Sequence, residues 1–222
     1  MESLGIFDII GPNMIGPSSS HTAGALKISL LAGKMVKGTI KSVKFILYGS
    51  FARTYRGHGT DRALIAGILG YNTDDRRIKD AFLYAVKEGL EYSFEPNFIE
   101  KDIHPNCVDI VMTNEENNVT TIRGISIGGG RAVIQKINGA EISLSGEYNT
   151  IFITQKDTPG VVAYITRCLS DGGINIAFMK LFREKKGDIA YTVIESDEVI
   201  PQEVINKIEK FVHIKSAVLI QI

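Results

Sequence analysis

The amino-acid sequence predicts an α+β protein of two domains, and three observations support this. The chain has 222 residues, enough for one large domain or two small ones. Helix-like hydrophobic spacing predominates over residues 23–86, whereas apolar and polar residues alternate from Asn106 onward as they do in strands. Residues 149–222 then follow the order β-α-β-β-α-β, which is the ferredoxin-like unit. We therefore expect a mixed α/β-sheet domain over residues 1–145 and a smaller βαββαβ domain over residues 148–222.

The first domain is predicted to open with helices around one strand. Apolar and small residues three or four apart over 23–36 predict a mostly buried helix. A strand is predicted at 43–48, followed by a helix at 62–69 for which Thr60 is a suitable N-cap. Thr73 is expected to cap the next helix.

Alternation predicts strands in the rest of the first domain and a regular set of elements in the second. Residues 107–113 and 119–127 form a predicted hairpin, and 132–137 a further strand. The polar stretch 143–147 is the predicted domain boundary. The elements expected in the second domain are strands at 149–155, 174–182, 189–195 and 217–222 and helices at 159–170 and 201–212.

The composition argues against several classes of function. Lysine plus arginine and aspartate plus glutamate number 25 each, so no basic surplus favours binding to nucleic acid. No apolar run approaches the roughly 20 residues that span a bilayer, and residues 1–10 do not resemble a secretory signal, so we expect a cytoplasmic protein. The two cysteines, Cys107 and Cys168, are far apart and do not suit a disulfide in a reducing compartment. An iron–sulfur cluster needs three or four thiolates, which this chain cannot supply.

The most informative stretch is the run Gly-Pro-Ser-Ser-Ser-His-Thr-Ala-Gly over residues 16–24, directly before the first predicted helix. One serine can cap the first helical turn, and the N–H groups and dipole at a helix start attract a small anion such as a carboxylate. Capping needs only one hydroxyl, so we interpret the run as a ligand site in preference to an over-polar helix cap. The candidate carboxylate-binding residues are Ser18, Ser19, Ser20 and Thr22, and the candidate base of this run is His21.

A second run lies downstream, Tyr-Gly-Ser-Phe-Ala-Arg-Thr over 48–54 followed by Gly-His-Gly-Thr-Asp over 57–61. Together the two runs resemble, in residues and spacing, the β chain of the iron–sulfur-dependent L-serine dehydratases. The chain departs from this pattern at Tyr55, where family members often have glycine. Arg53 and Arg56 could pair with an anion or line an interface. The first domain as a whole is similar to the small allosteric substrate-binding domain of some phosphoglycerate dehydrogenases.

The resemblance implies elimination of water from L-serine, which gives pyruvate and ammonia. In the family a [4Fe–4S] cluster assists departure of the β-hydroxyl, and here a cysteine-rich α subunit would have to ligate it. His58 or His21 would be the base that takes the Cα proton, and the sequence leaves open which of them does so. Thr60 and Asp61 would help to bind the substrate. Asp61 could instead orient a histidine, or simply place a favourable charge in the first helical turn.

The second domain resembles the ACT domain that this chain carries in the two-chain form of the enzyme. The loop 156–161 before its first helix resembles the amino-acid effector site of ACT domains, together with the start of the second strand. Such domains pair side by side in that family, so self-association is expected. The alternative is a plain dimerisation module that binds no ligand. The effector residues implied by the resemblance are Asp157, Pro159, Gly160 and Asn175.

Three other interpretations stay open. An amino-acid sensor without catalysis would use the same two ligand regions, and a neighbouring gene for a cysteine-rich chain would argue against it. A hydrolase that pairs a serine with His21 or His58 lacks a Gly-x-Ser-x-Gly elbow. A metal site at His104 and Cys107 has only a weak His-x-x-Cys spacing, and Pro105 before a strand explains those residues without metal.

Overall fold

The computed structural model describes residues 12–100, 102–183 and 185–220. Its contacts divide the chain into two compact units, one up to Asn138 and one from Gly139. Each unit combines strands with helices, so the α+β class predicted from the sequence is confirmed. None of the helices in these ranges has the length and apolar character that a membrane span requires.

The first unit consists of helices packed on a mixed sheet. Its regular elements are α1 Gly24–Lys34, β1 Ile40–Leu47, α2 Gly49–Thr54, α3 Thr60–Ile68, α4 Ala81–Lys87, β2 Glu91–Pro96, β3 Cys107–Asn114, β4 Val119–Gly128 and β5 Arg131–Ile137. The strands of this unit lie in the order β2-β1-β3-β4-β5, with β1 parallel to β2 and the remaining pairs antiparallel. One turn of π-helix at Ser19–Ala23 runs into α1, and a 3₁₀-helix at Arg76–Asp80 precedes α4.

Helix α1 lies at the centre of this unit because it packs against helix α3 and against strands β4 and β5. Gly67 of α3 permits a close approach, since a methyl group there would collide with the carbonyl oxygen of Leu26 and with Ser29 Oγ. Gly124 of β4 likewise leaves room for Ile28. Close packing of this kind resists displacement, so the start of α1, which carries the serine run, has a fixed position in the unit.

Two helix caps differ from the prediction. Helix α3 begins at Thr60 itself, and its N-cap is Gly59 with φ of 68°, a left-handed conformation that glycine adopts without strain. Thr60 therefore lies inside the helix, where its buried hydroxyl has no partner among the described residues. Asp75 caps the 3₁₀-helix by accepting a backbone N–H. Thr73 instead donates to the carbonyl oxygen of Asn13 at 2.9 Å.

Strand β2 and helix α2 were not predicted from the sequence. Strand β2 alternates half-buried and exposed residues, with Tyr92 and Phe94 on the half-buried side, over only six residues. Helix α2 also has six residues, which is less than two helical turns. Both segments are too short for hydrophobic periodicity to reveal them.

The second unit has the predicted βαββαβ order, preceded by one further strand. Its regular elements are β6 Ala140–Leu144, β7 Asn149–Lys156, α5 Val161–Asp171, β8 Phe178–Arg183, β9 Ile189–Ser196, α6 Gln202–Glu209 and β10 Ile214–Ile220. The antiparallel order β10-β7-β9-β8 is the ferredoxin-like arrangement. The core of this unit joins Ile151 and Ile194 of the sheet to Ile165 and Leu169 of α5 and Ile205 of α6.

Candidate functional site

The serine run opens helix α1 through one capping serine. Ser18 is extended, with φ of −143° and ψ of 123°, and its Oγ accepts the backbone N–H of His21 at 3.2 Å. Ser19 takes part through its carbonyl oxygen, which accepts the N–H of Gly24. The cap therefore uses one hydroxyl of the run, as expected, and leaves the others free for different contacts.

His21 joins the two sequence runs. Its Nε2 lies 2.8 Å from Ser50 Oγ, although the two residues are 29 positions apart. Its Nδ1 lies 3.0 Å from Ser20 Oγ and 3.4 Å from Ser18 Oγ. The ring also meets Phe51 edge-on, with centroids 5.5 Å apart. Because hydroxyls both donate and accept, these neighbours fix the orientation of the imidazole in either tautomer.

His58, from the second run, lies directly beside His21. The two ring centroids are 4.9 Å apart and the ring planes meet at 77°. Thr22 Oγ1 donates to the carbonyl oxygen of His58 at 2.9 Å, and the N–H of His58 donates to the carbonyl oxygen of Thr54 at 3.0 Å. The Nδ1 atom of His58 is buried and has no hydrogen-bond partner among the described residues. A buried polar atom normally has a partner, so this nitrogen is available to a ligand.

Burial, followed by the charge of the neighbouring His58, lowers the pKa of His21. Burial penalises the charged imidazolium, and a second imidazole close by disfavours it further. His21 is therefore neutral at pH 7, the state in which imidazole accepts a proton.

Thr60 and Asp61 lie at the start of α3. Thr60 is fully buried, and Asp61 is 8% exposed. The Oδ1 atom of Asp61 accepts the N–H of Arg62 at 2.8 Å. Burial raises the pKa of Asp61, against the attraction of Arg62 and Arg56. The carboxyl group of Asp61 therefore contacts the backbone at the start of its own helix, where its negative charge suits the helix dipole.

Ser50 is a site residue that the sequence analysis did not single out. The N–H groups of Ser50 and Phe51 donate to the carbonyl oxygen of Pro105 at 2.6 and 3.3 Å. Gly49 has φ of 52°, and a Cβ atom there would lie 2.6 Å from the same oxygen. Only glycine fits at this position. The Gly-Ser pair at positions 49 and 50 is the feature of the sequence that could have pointed to Ser50.

An ion pair holds Tyr48, the residue before this turn. The Nε and Nη2 atoms of Arg123 donate to the two carboxylate oxygens of Asp109 at 2.6 and 2.7 Å. The hydroxyl of Tyr48 donates to Asp109 Oδ2 at 2.8 Å, and the guanidinium lies over the tyrosine ring at 5.1 Å from its centroid. Asp109 and Arg123 face each other across β3 and β4. Both residues belong to the hairpin predicted over 107–113 and 119–127, and its register is set by the structure.

The thiols and nearby groups do not form a cluster-binding site. Cys107 and Cys168 are both buried free thiols, one in each unit, and burial raises the pKa of Cys107 to about 12. Within the described residues no three histidine, cysteine, aspartate or glutamate side chains are placed to bind a metal ion together. His104 Nδ1 accepts the N–H of Asn106 at 3.2 Å. The donor set of this chain therefore does not fit an iron–sulfur cluster.

The structure divides the effector residues expected from the sequence between two ends of the second unit: Asp157, Pro159 and Gly160 follow β7, whereas Asn175 precedes β8 at the opposite end of the sheet. Asp157 Oδ2 accepts the N–H of Gly187 at 2.9 Å and a guanidinium N–H of Arg183 at 3.3 Å. Pro159 is exposed. Gly160, with φ of 90°, is the N-cap of helix α5. The N–H of Asn175 donates to a carboxylate oxygen of Glu198 at 2.9 Å. The Asp157 carboxylate thus ties the loop before α5 to the turn between β8 and β9.

Comparison with known proteins assigns a family to each part of the chain. Residues 5–137 match the family model for the serine dehydratase beta chain, and residues 149–213 match that for the ACT domain. The chain is 41% identical to "L-serine dehydratase, beta chain" of Peptoniphilus asaccharolyticus over 202 residues, covering 91% of each chain. It is 38% identical to "Probable L-serine dehydratase, beta chain" of Bacillus subtilis over 214 residues, covering 96% of each.

A more distant similarity connects the chain with another enzyme. A D-3-phosphoglycerate dehydrogenase of Bacillus subtilis is 25% identical over 197 residues, which cover 88% of this chain and 37% of that protein. The two β chains, in contrast, are matched over 91% and 96% of their own length, and the family model spans residues 5–137 of the present sequence. On this basis the chain belongs to the serine dehydratase β-chain family and carries an ACT domain over residues 149–213.

Proposed function

We propose that this chain is the β subunit of a two-chain L-serine ammonia-lyase, which converts L-serine to pyruvate and ammonia. The observation that carries the proposal is the histidine pair, in which His21 from the first run meets both His58 and Ser50 from the second. The names of the two similar β chains point to the same reaction.

The histidine pair suits removal of the Cα proton. In our proposal one imidazole of the pair, His21 or His58, takes this proton, and the other keeps its partner correctly oriented. His21 is neutral at pH 7 because burial lowers its pKa. The aminoacrylate that results from loss of water tautomerises to an imine, and addition of water to the imine releases ammonia and pyruvate.

The start of α1 suits the carboxylate of the substrate. Ser18, Ser20 and Thr22 place hydroxyls around the first turn, beside the positive end of the helix dipole. Ser19 belongs to the same turn, and Thr60 offers a buried hydroxyl without a described partner. We propose that these groups position the substrate and that Asp61 supports the start of α3.

Departure of the β-hydroxyl needs a Lewis acid, because hydroxide is a poor leaving group. The two cysteines of this chain are buried in separate units and do not fit a cluster. We therefore propose that a cysteine-rich α subunit supplies the ligands of a [4Fe–4S] cluster. The β-chain names of the relatives agree with the existence of a second subunit.

We propose that the ACT domain mediates self-association and binds an amino-acid effector between Asp157, Pro159 and Gly160 of one copy and Asn175 of a paired copy, since Asn175 lies at the opposite end of the same sheet. The contact of Asp157 with the β8–β9 turn supports a role for this loop, because a ligand that engages the carboxylate would also move the turn. Calorimetric titration of the chain with L-serine, compared with Asp157→Asn, tests this assignment.

The deciding experiment measures anaerobic formation of pyruvate from L-serine. The chain is assayed alone and after mixing with the cysteine-rich chain encoded beside it, and we expect activity only in the mixture. His58→Ala and His21→Ala should each remove at least about 99% of the activity, since a general base contributes roughly 10²–10⁴-fold. His213→Ala in the second unit is the matched control and should stay active. Near-normal turnover of both site variants would show that the pair is not catalytic.

A further inference from the structure

A second feature of the first unit is a cavity next to the histidine pair, which shares Thr22 with the substrate-binding residues of the proposed function. The cavity, of about 410 Å³, opens where the segment before the serine run meets the loop before α3. This size falls within the range of small-molecule sites, roughly 300–1,000 Å³. Its wall includes Thr22, two glycines and three cationic residues, namely Gly57, Gly59, Arg56, Arg62 and Lys79.

The walls of the cavity are fixed by hydrogen bonds. The N–H of Ile15 donates to the carbonyl oxygen of Thr73 at 2.7 Å, and Thr73 Oγ1 donates to the carbonyl oxygen of Asn13 at 2.9 Å. These two bonds join the segment before the serine run to the segment that leads to Lys79. On another wall, Thr22 is tied to the loop before α3 by its bond to the His58 carbonyl oxygen. The cavity is therefore defined by three connected segments and not by loose side chains.

All three cationic side chains are exposed, and two of them lie over aromatic rings. The guanidinium of Arg62 lies over the ring of Phe82 at 5.7 Å from its centroid, and that of Arg56 lies over the ring of Tyr55 at 5.4 Å. Stacking on an aromatic face orients a guanidinium without neutralising its charge. The N–H groups therefore stay available for an oxyanion.

The charge of this cavity is not balanced by acidic side chains. Among the described residues, none of Arg56, Arg62 and Lys79 takes part in an ion pair. The nearby carboxyl of Asp61 is attracted by both arginines, but it is 8% exposed and bonded to a backbone N–H. Gly57 and Gly59 in the wall have no side chains, so a ligand can approach their backbone closely. Three cations around one pocket favour a small ligand with negatively charged oxygens.

From this geometry we propose that the cavity binds the oxyanion group of a small metabolite, a carboxylate or a phosphate, through Arg56, Arg62 and Lys79. The ligand has two conceivable sources, the carboxylate of L-serine itself or a separate phosphate-bearing molecule. The two sources share the same recognition chemistry and are separated by the experiment. Binding is measured on this chain without its partner, so the outcome is independent of whether the dehydratase activity is found.

The test is calorimetric titration of the full chain with sodium phosphate and, separately, with L-serine, at constant ionic strength set with sodium chloride. Arg62→Gln combined with Lys79→Gln should weaken saturable binding about tenfold or more, the effect expected for one lost charge-assisted hydrogen bond. Arg56→Gln alone provides a second, milder variant. The matched control combines Lys41→Gln with Lys87→Gln, which changes the net charge equally at exposed positions of the same unit.

Each outcome bears on the proposal. Saturable phosphate binding that the cavity variants lose, with no binding of serine, identifies a separate phosphate ligand. Serine binding that the same variants lose, and that phosphate displaces, identifies the substrate carboxylate. The proposal is overturned if neither compound binds above the chloride background, or if the cavity variants and the control pair bind equally well. Urea unfolding of each variant confirms that the comparison is made between folded proteins.

Discussion

Replacing Asp109 by asparagine tests whether the ion pair beneath Tyr48 stabilises the first unit. The change keeps the shape of the side chain but removes the charge that accepts two bonds from Arg123. The side chains of Arg123 and Asp109 are only 19% and 13% exposed. In the variant the guanidinium would keep its charge in a largely buried place, with Glu100 as its remaining carboxylate partner at 3.3 Å and the Tyr48 hydroxyl at the same distance.

The size of the effect follows from this partial burial. Removal of one partner from a fully buried pair costs about 3–5 kcal/mol, whereas exposed pairs contribute about 0–1 kcal/mol. The bidentate geometry and the bond from Tyr48 favour the upper range, and the residual exposure and Glu100 favour the lower. We expect Asp109→Asn to lower the free energy of unfolding by about 2–3 kcal/mol, a value between these limits.

Urea unfolding followed by circular dichroism measures this change, with Arg123→Met and the double variant completing a thermodynamic cycle. The coupling between the two positions should be at least about 1.5 kcal/mol if the pair acts as a unit. Glu95→Gln is the matched control, because Glu95 pairs with Lys44 at 3.4 Å while both side chains are largely exposed, at 62% and 47%. This control should cost less than about 0.5 kcal/mol.

The reasoning is wrong if Asp109→Asn costs no more than Glu95→Gln, or if the two single variants of the cycle are additive. Either result would mean that the pair behaves like one on the surface. It would also mean that Tyr48, and the turn that follows it, are held by the backbone contacts alone.

Three further predictions concern the histidine pair and the packing of the helices. The pKa of His21 is lowered in the folded protein, so the unfolded chain binds a proton at this imidazole more readily. The wild type should therefore lose stability as the pH falls below about 6.5, the ordinary pKa of histidine. His21→Gln should reduce this loss, as measured by urea midpoints across pH. Gly67→Ala should cost about 1–3 kcal/mol in urea unfolding because a methyl group meets the Leu26 carbonyl, whereas Gly57→Ala, with its nearest atom at 3.8 Å, should cost less. Ser50→Ala should lower kcat about tenfold or more with a small change in urea midpoint, and an unchanged kcat would exclude a positioning role.

Sequence periodicity could predict the fold wherever an element was long or alternated strictly. It succeeded for the hairpin of β3 and β4 and for the βαββαβ unit. It failed for β2, whose pairing partner β1 is more than 40 residues earlier in the chain, because a short edge strand takes its stability from that partner. The cap of α3 was misplaced because Gly59, and not Thr60, takes the left-handed conformation from which the helix starts.

The site could be predicted only in part, because some of its contacts are local in the sequence and others depend on tertiary packing. The serine run is a local pattern, so its capping serine could be predicted from the sequence. The contact of His21 with Ser50 depends on tertiary packing that no local pattern encodes. Asp109 and Arg123 lie between these cases, since both belong to the predicted hairpin, but the structure was needed to show that they are opposite each other. Their role beside Tyr48 became clear only when β1 was placed next to β3.

Three different physical devices fix the segments that meet at His21. The serine run is held by a helix cap, the turn at Ser50 by the backbone of Pro105, and the residue before that turn by the Asp109 ion pair. All three devices belong to the first unit of this chain. Preorganised groups of this kind lower the cost of ordering a ligand. Measurements on the isolated chain therefore report on binding, and what a partner subunit adds can be read as the difference between binding and turnover.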